Sequence, residues 1–201
     1  MGGRSRVAAQ MLAGKGFDNV HNVKGGFKAW QGEAAFGKEE LGLELLTGNE
    51  SPDEALVVAY SLEEGLRDFY LSMIPTVKSK EVKNIFKKLS EIETKHQERI
   101  LKEYIAMTGK SISREEFEKG IVSQAIEGGL TTQEYAELFQ PDWESVKDII
   151  GLAMSIEAQA LDLYMRTADR CSDPQSKKVL AKIADEERMH LTQLGRLMDN
   201  V

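Results

Sequence analysis

The sequence predicts an all-α fold, a four-helix bundle of two antiparallel hairpins joined by a long crossover, with a small partial α/β piece ahead of it. Three observations predict this. First, Glu93-Thr94-Lys95-His96 has an echo at Glu187-Arg188-Met189-His190, ninety-four positions on. The same offset carries Glu63 onto Glu157, Asp68 onto Asp162, Tyr70 onto Tyr164, Ala59 onto Ala153 and Ser61 onto Ser155 without a gap. Self-similarity at a fixed offset marks a duplicated supersecondary unit. Second, apolar residues in both copies recur at threes and fours, the period of an amphipathic helix. Third, the stretch from Gly109 to Pro141 separates the copies, and one four-helix topology requires a long crossover at that point.

The whole chain sets outer bounds. Its 201 residues give room for one domain and a fragment of another. A net charge of -7 and a pI near 5.2 argue against nucleic acid or an anionic membrane as partner. No eighteen-residue apolar window and no signal-like N-terminus is present, so the expected location is the cytoplasm. Cys171 is the one cysteine. This rules out an intrachain disulfide and a built-in rubredoxin-type iron centre, which takes four thiolates.

Taken in order, residues 1–34 come first. Ser5 can cap a short helix carrying Val7, Ala8, Met11 and Leu12, which Gly14 or Gly16 ends; Val20 to Val23 alternates like a short strand; and a second short helix around Phe27 to Trp30 follows Gly25-Gly26. Gly2-Gly3-Arg4-Ser5 and Gly25-Gly26-Phe27-Lys28-Ala29-Trp30 resemble the closing part of a rhodanese (sulfurtransferase) domain, where Gly-x-Arg-Ser ends the cysteine loop and Gly-Gly-x-x-x-Trp closes the domain. The family's nucleophilic cysteine would fall before Gly2, so the resemblance implies a rhodanese-like fragment without sulfurtransferase activity. Arg4 and the loop would retain an anion-binding tendency alone. His21 is expected to be an exposed strand residue. Residues 35–50 are expected to be a linker with one short helix around Glu39 to Leu46.

The bundle is expected over 51–201. Ser51-Pro52-Asp53-Glu54 joins an N-cap, a proline at the first helical position and the glutamate of a capping box, so a helix starts there and runs to about Pro75. Its face of Leu56, Ala59, Tyr60, Leu66, Tyr70 and Met73 also holds Glu63. Ser79 caps the second helix, whose stripe of Val82, Ile85, Phe86, Leu89, Ile92, Ile100 and Tyr104 is interrupted by Glu93 and His96. At about 1.5 Å per residue, Glu63 lies ~17 Å into the first helix and Glu93 and His96 ~21 to 26 Å into the second, so both sets fall near mid-height. Helical pieces are expected in the crossover at 113–124 and 132–139, separated by Gly128-Gly129. The third bundle helix is expected to begin at Asp142-Trp143 and to carry Ile149, Leu152, Ile156, Glu157, Ala160 and Tyr164. The fourth begins at Asp173-Pro174, with Val179, Leu180, Ile183, Glu187, His190 and Leu194 on its inner face.

Each copy therefore supplies one Glu on an apolar face, followed by a Glu-x-x-His whose i, i+3 spacing puts both side chains on one side of a helix. Four carboxylates and two imidazoles are hard and borderline donors, which suit iron or manganese, and two divalent ions would offset the four negative charges. The alternative is a duplicated hairpin whose Glu and His are solvated or paired with basic residues.

Residues 51–201 resemble the ferritin-like superfamily, near its rubrerythrin and bacterioferritin branch. Its di-metal sites take a Glu from each of two helices and Glu-x-x-His from the other two. The resemblance implies Glu63, Glu93, His96, Glu157, Glu187 and His190 as ligands of two iron ions, with manganese or a mixed pair as alternatives. Glu93 and Glu187 would bridge, Glu63 and Glu157 would be terminal, and each metal would take one His. Tyr70 and Tyr164, two turns from Glu63 and Glu157, are candidate catalytic residues in a redox role, or else core rings bonded to a ligand carboxylate. The rubrerythrin pattern adds a carboxylate three residues after the third-helix ligand, where this chain has Ala160, so the ligand set is nearer that of bacterioferritin.

The implied function is a di-iron oxidoreductase that reduces peroxide or dioxygen in oxidative-stress defence, with electrons from an external protein and a homodimer or small homo-oligomer as the assembly. A ferroxidase that stores or delivers iron is the second reading, and a metal-free structural bundle is the third. Elution as a large shell would favour storage.

Overall fold

The computed structural model describes residues 45–118 and 140–200, with isolated positions at 8, 9, 11, 12, 17, 19–21, 131 and 137. Among the described residues there are five helices and no strand: α1 (Pro52–Met73), α2 (Lys80–Thr108), α3 (Arg114–Glu118), α4 (Val146–Arg170) and α5 (Pro174–Met198). Most of the rhodanese-like fragment expected over 1–34 lies outside the described residues. Positions 8, 9, 11 and 12 are helical, and His21 is exposed. Most of the two crossover pieces also lies outside, apart from α3 and a helical position at 137.

The helices start where their first N–H groups find side-chain acceptors. Ser51 and Glu54 close a reciprocal capping box at α1, Ser79 accepts from the Val82 N–H at α2, and Asp173 accepts from the Ser176 N–H at α5. Gly109 ends α2 at φ 66°, a left-handed cap that costs glycine little. One start differs from the sequence expectation. Asp142 and Trp143 form a turn, with the Asp142 carboxylate accepting from the Glu144 N–H at 2.9 Å, and the helix begins at Val146 with Ser145 as cap. Asp serves both turns and caps, so its presence alone does not separate the two. The turn leaves Trp143 edge-on to Phe69. It also brings the Glu144 carboxylate to the Lys78 and Ser79 N–H groups, each 2.7 Å away.

Those contacts fix the topology. The start of α4 lies beside the start of α2, so these two run parallel. Ser176 donates to the Glu50 carbonyl at 2.9 Å and Thr167 to the Leu46 carbonyl at 3.4 Å, so the starts of α1 and α5 share an end of the bundle with the end of α4. Within the hairpins, α1 pairs with α2 and α4 with α5.

Of the expected linker over 35–50, residues 45–50 are described. Leu46 is fully buried in the core, and Thr47 and Gly48 donate backbone N–H groups to the Glu50 carboxylate at 2.7 and 2.9 Å. A leucine is drawn into the bundle end because its side chain joins the apolar cluster there and leaves water. Gly48 sits at φ 92°, and a Cβ added there would lie 2.8 Å from Arg170 Cβ. Gly48→Ala is therefore expected to cost about 2 kcal/mol through positive φ and the clash together. Thermal unfolding should show it as a Tm drop of about 4 to 8 °C.

Two apolar clusters fill the bundle. One holds Leu56, Tyr60, Leu62, Ile100, Leu161, Tyr164 and Leu180, and the other Leu66, Tyr70, Phe86, Leu89, Ile149, Ile156 and Leu194. Along α1 the break falls between Leu62 and Leu66, and along α2 between Leu89 and Ile100. The interrupted stripes seen in the sequence have become a polar layer across the middle of the core.

Candidate metal centre

That layer is made of Glu63 from α1, Glu93 and His96 from α2, Glu157 from α4, and Glu187 and His190 from α5, none more than 4% exposed. The helix faces force this. In both hairpins the ligand-type residues share the face that apolar neighbours drive inward, so packing buries them with it. Glu63, Glu93 and His96 form one group able to hold a metal ion, and Glu157, Glu187 and His190 form the other. All six positions named from the sequence are thus gathered, three from each hairpin.

The distances show what stands at the centre of each group. His96 Nδ1 lies 3.2 Å from Glu63 Oε2 and 2.8 Å from Glu93 Oε2. His190 Nδ1 lies 3.4 Å from Glu157 Oε2 and 3.2 Å from Glu187 Oε2. Each imidazole Nδ1 is thus aimed between two carboxylates. The two rings stack face to face, with centroids 3.5 Å apart and planes within 5°. The hairpins therefore meet at the histidines.

The electrostatics follow from burial. Burial pushes the Glu93 carboxyl well above the usual range; the charges of Glu63 and Glu157 add to this, and His96 opposes it. For His96, burial works against the charged ring, but the carboxylates of Glu63 and Glu93 outweigh it and carry the pKa up to about 11. Burial would raise Glu157 too. Its contacts with Glu187 and His190, with the charges of His190 and His96, instead hold it down to about 2. The cluster thus keeps bound protons at some sites and full charge at others, as crowded carboxylates must.

The residues fit a pair of metal ions. Both oxygens of Glu93 and Oε2 of Glu157 are buried with no aligned hydrogen-bond donor; the close approach of His96 to Glu93 is an ion pair off the hydrogen-bond direction. Buried carboxylate oxygens without donors are rare and costly. A divalent cation would satisfy them, with Glu63, Glu93 and His96 holding one ion and Glu157, Glu187 and His190 the other. Carboxylate oxygen and imidazole nitrogen form a donor set for iron or manganese rather than a thiophilic metal.

The remaining sequence candidates fall around this layer. Tyr70 and Tyr164 are fully buried, on opposite sides of it: Tyr70 packs with Phe69 and Phe86 in one cluster, and Tyr164 belongs to the other. Ala160 is fully buried, with no carboxylate to offer. Cys171 is half-buried at the C-cap of α4, its thiol pushed up by burial and by the charges of Glu50 and Asp173.

Sequence reasoning missed Gln97. It is fully buried beside His96, and its Oε1 accepts from Arg114 at 2.7 Å and Arg67 at 3.4 Å. Arg114 also donates to Glu118, which accepts from Tyr60, so this network fastens α3 onto the first hairpin. The repeat held a signal for it, because the offset places Leu161 and Leu191 opposite Arg67 and Gln97. Where a duplication turns polar on one side, the polar residues have acquired a local task.

The rubrerythrin family model matches residues 54–198, which span α1 to α5 and all six residues of the polar layer. It does not extend to the N-terminal segment and gives no support to a rhodanese-like piece there. A hypothetical protein from Pyrococcus furiosus of known structure aligns at 24% identity and a TM-score of 0.47, over 79% of this chain and 94% of that one. Comparison with curated proteins gives no match. No helix among the described residues is long and apolar enough to cross a membrane. Most of the chain lies within the family match, and the buried Glu and Glu-x-x-His residues lie inside it: the chain belongs to the rubrerythrin family.

Proposed function

We propose that the chain is a non-haem di-iron oxidoreductase that reduces hydrogen peroxide or dioxygen with electrons from an external protein donor, in oxidative-stress defence. The observation that carries this reading is the pair of buried Glu, Glu, His groups meeting across the core. Two iron ions held there would supply one electron each, the two that a peroxide O–O bond takes up with two protons to yield two waters. The chain's own residues hold the ions, exclude bulk water with an apolar cluster on either side, and keep ionisable carboxyl and imidazole groups at the centre. An external donor is supported by the one cysteine of these 201 residues, which cannot build an iron centre that takes four thiolates. We place the protein in the cytoplasm as a homodimer or small homo-oligomer.

Protein purified without oxygen is expected to carry two irons per chain and to turn over peroxide when given a reductant. One metal or none per chain would sink the reading. The alternative, ferroxidase activity for storage or delivery of iron, draws support from Ala160, which leaves the two halves with matching ligand sets. Fe(II) oxidation by dioxygen, without sustained peroxide turnover, would identify it. Tyr70→Phe and Tyr164→Phe separate the two roles of the tyrosines. Unchanged turnover with a small change in Tm means packing, and a turnover loss of about tenfold or more at unchanged metal content means a part in the chemistry.

A further inference from the structure

Two grooves lie between α2 and α5, one on each side of the polar layer, and the repeat makes them copies of each other. The first reaches a cavity of about 100 Å³ whose inner wall is Glu93, Glu157 and His190. Its sides are apolar, including Leu89 and Leu194, and exposed Lys88 and Gln193 stand at its mouth. The second, over Leu56, encloses about 20 Å³ and touches none of the six residues.

Shifting by ninety-four positions superimposes the two linings: Lys88 on Lys182, Leu89 on Ile183, Leu194 on Ile100. Three pairs then differ in kind. Where the first groove has Gln193, Leu197 and Ile92, the second has Arg99, Glu103 and Glu186. Those three charges close it, Arg99 pairing with Glu186 at 3.5 Å and Glu103 with Lys182. Half-exposed ion pairs are weak in themselves. Their long aliphatic stems nevertheless lie across the apolar floor and fill the gap. In the first groove no acid among the described residues pairs with Lys88, and the same gap stays open.

We propose that the open groove at Lys88 and Gln193 is the route by which a small uncharged oxidant, of the size of dioxygen or hydrogen peroxide, reaches the buried layer, and that the Arg99–Glu186 groove is a second copy of that route held shut by its ion pairs. The volume admits a few water-sized molecules and no bulky hydroperoxide. A metal cation is a poor occupant, because the mouth carries a positive charge and the apolar sides offer nothing to replace its hydration shell. The inference rests on the metal reading of the layer for its chemistry, but the route can be tested apart from it.

The test is methyl NMR on the full chain with zinc added, reading the relaxation that dissolved paramagnetic dioxygen induces. Leu89 and Leu194 should be enhanced several-fold over Ile183 and Ile100, which are equally buried, at 2 and 3% against 5 and 3% exposed. Equal enhancement in the two grooves overturns the proposal. Ile92→Trp should abolish the contrast and slow single-turnover oxidation of bound Fe(II) by dioxygen about tenfold at unchanged iron content, as expected of a blocked gate. Oxidation at the original rate overturns the proposal. The triple variant Arg99→Gln, Glu103→Leu, Glu186→Ile should raise the enhancement at Ile183 and Ile100 to that of the open groove, and no rise overturns the claim that the pairs are the lock. If the methyl contrast holds while the chain binds no iron, the route stands and the metal reading falls. If the contrast is absent while iron is bound and oxidised, the route falls and the metal reading stands.

Discussion

Glu93→Ala and Glu187→Ala are each expected to abolish two-metal loading and to bring peroxide turnover to background, while the helical bundle persists. Glu93 is the most exposed to this test, because neither of its oxygens has an aligned donor and its charge is opposed by Glu63 and Glu157. Removing such a carboxylate relieves a buried group that crowds two other carboxylates and has no aligned donor, so the metal-free variant should unfold no earlier than the metal-free parent. The stabilisation conferred by metal should vanish. His96→Ala or His190→Ala should instead weaken one position by on the order of tenfold or more, the lower bound set by partners one shell further out. The repeat sharpens the expectation: equivalent substitutions in the two hairpins should impair loading alike. Metal content by elemental analysis, with thermal unfolding of loaded and stripped protein, checks all of this. Two irons per chain in both Glu variants, with unchanged redox behaviour, would refute the metal assignment.

The second large effect is that of metal on stability, and pH sets its sign. His96 is raised in the fold from 6.5 to about 11, so in the stripped protein its contribution is full below pH 6.5 and is lost as pH rises towards 11. The raised Glu93 acts in the same direction, losing its contribution as pH climbs above its ordinary 4.5. Glu157 is lowered to about 2, and its contribution, present above pH 4.5, is lost as pH falls through that value. Stripped protein should therefore be most stable in mildly acidic solution and weaken towards alkaline pH. Metal replaces the protons held by Glu93 and His96, so loading should release protons and help most where protons are scarce. With each ion at about a hundred times its Kd, linkage gives about 2.7 kcal/mol per site. For two sites the Tm should rise by about 10 to 20 °C. Calorimetry in buffers of different ionisation enthalpy counts the protons. A loading step that releases none, or a Tm increment that shrinks between pH 6 and 9, would contradict this.

The sequence was most informative where two periodicities coincided. Glu63, Glu93 and His96 are legible because they break an apolar stripe at helical spacing, and because a second copy breaks at the same places. Caps were legible at Ser51, Ser79 and Asp173, where side chain and register agree and a proline follows at the first and last, but not at Asp142, whose carboxylate serves a turn as readily as a helix. Leu46 looked like linker because its burial depends on the gap between distant helix ends, which no local window contains. Gln97 and the ion pairs of Arg99 and Glu103 were visible only as differences between the copies. A repeat is read first for what it shares, and here the differences mark where the two halves took on separate tasks.

The parallel pairing of α1 with α5 and of α2 with α4 also governs the order of events when the chain folds. Contacts within each hairpin are local and form early, whereas His96 meets His190 only after the intervening crossover has closed and the hairpins have docked. The polar layer is therefore among the last features to assemble, and its carboxylates stay hydrated until that step. Metal does not draw the two hairpins together from afar, since each group of three donors lies within a single hairpin. It acts on the finished bundle by lengthening the lifetime of the docked state, so its kinetic signature is slower unfolding rather than faster folding.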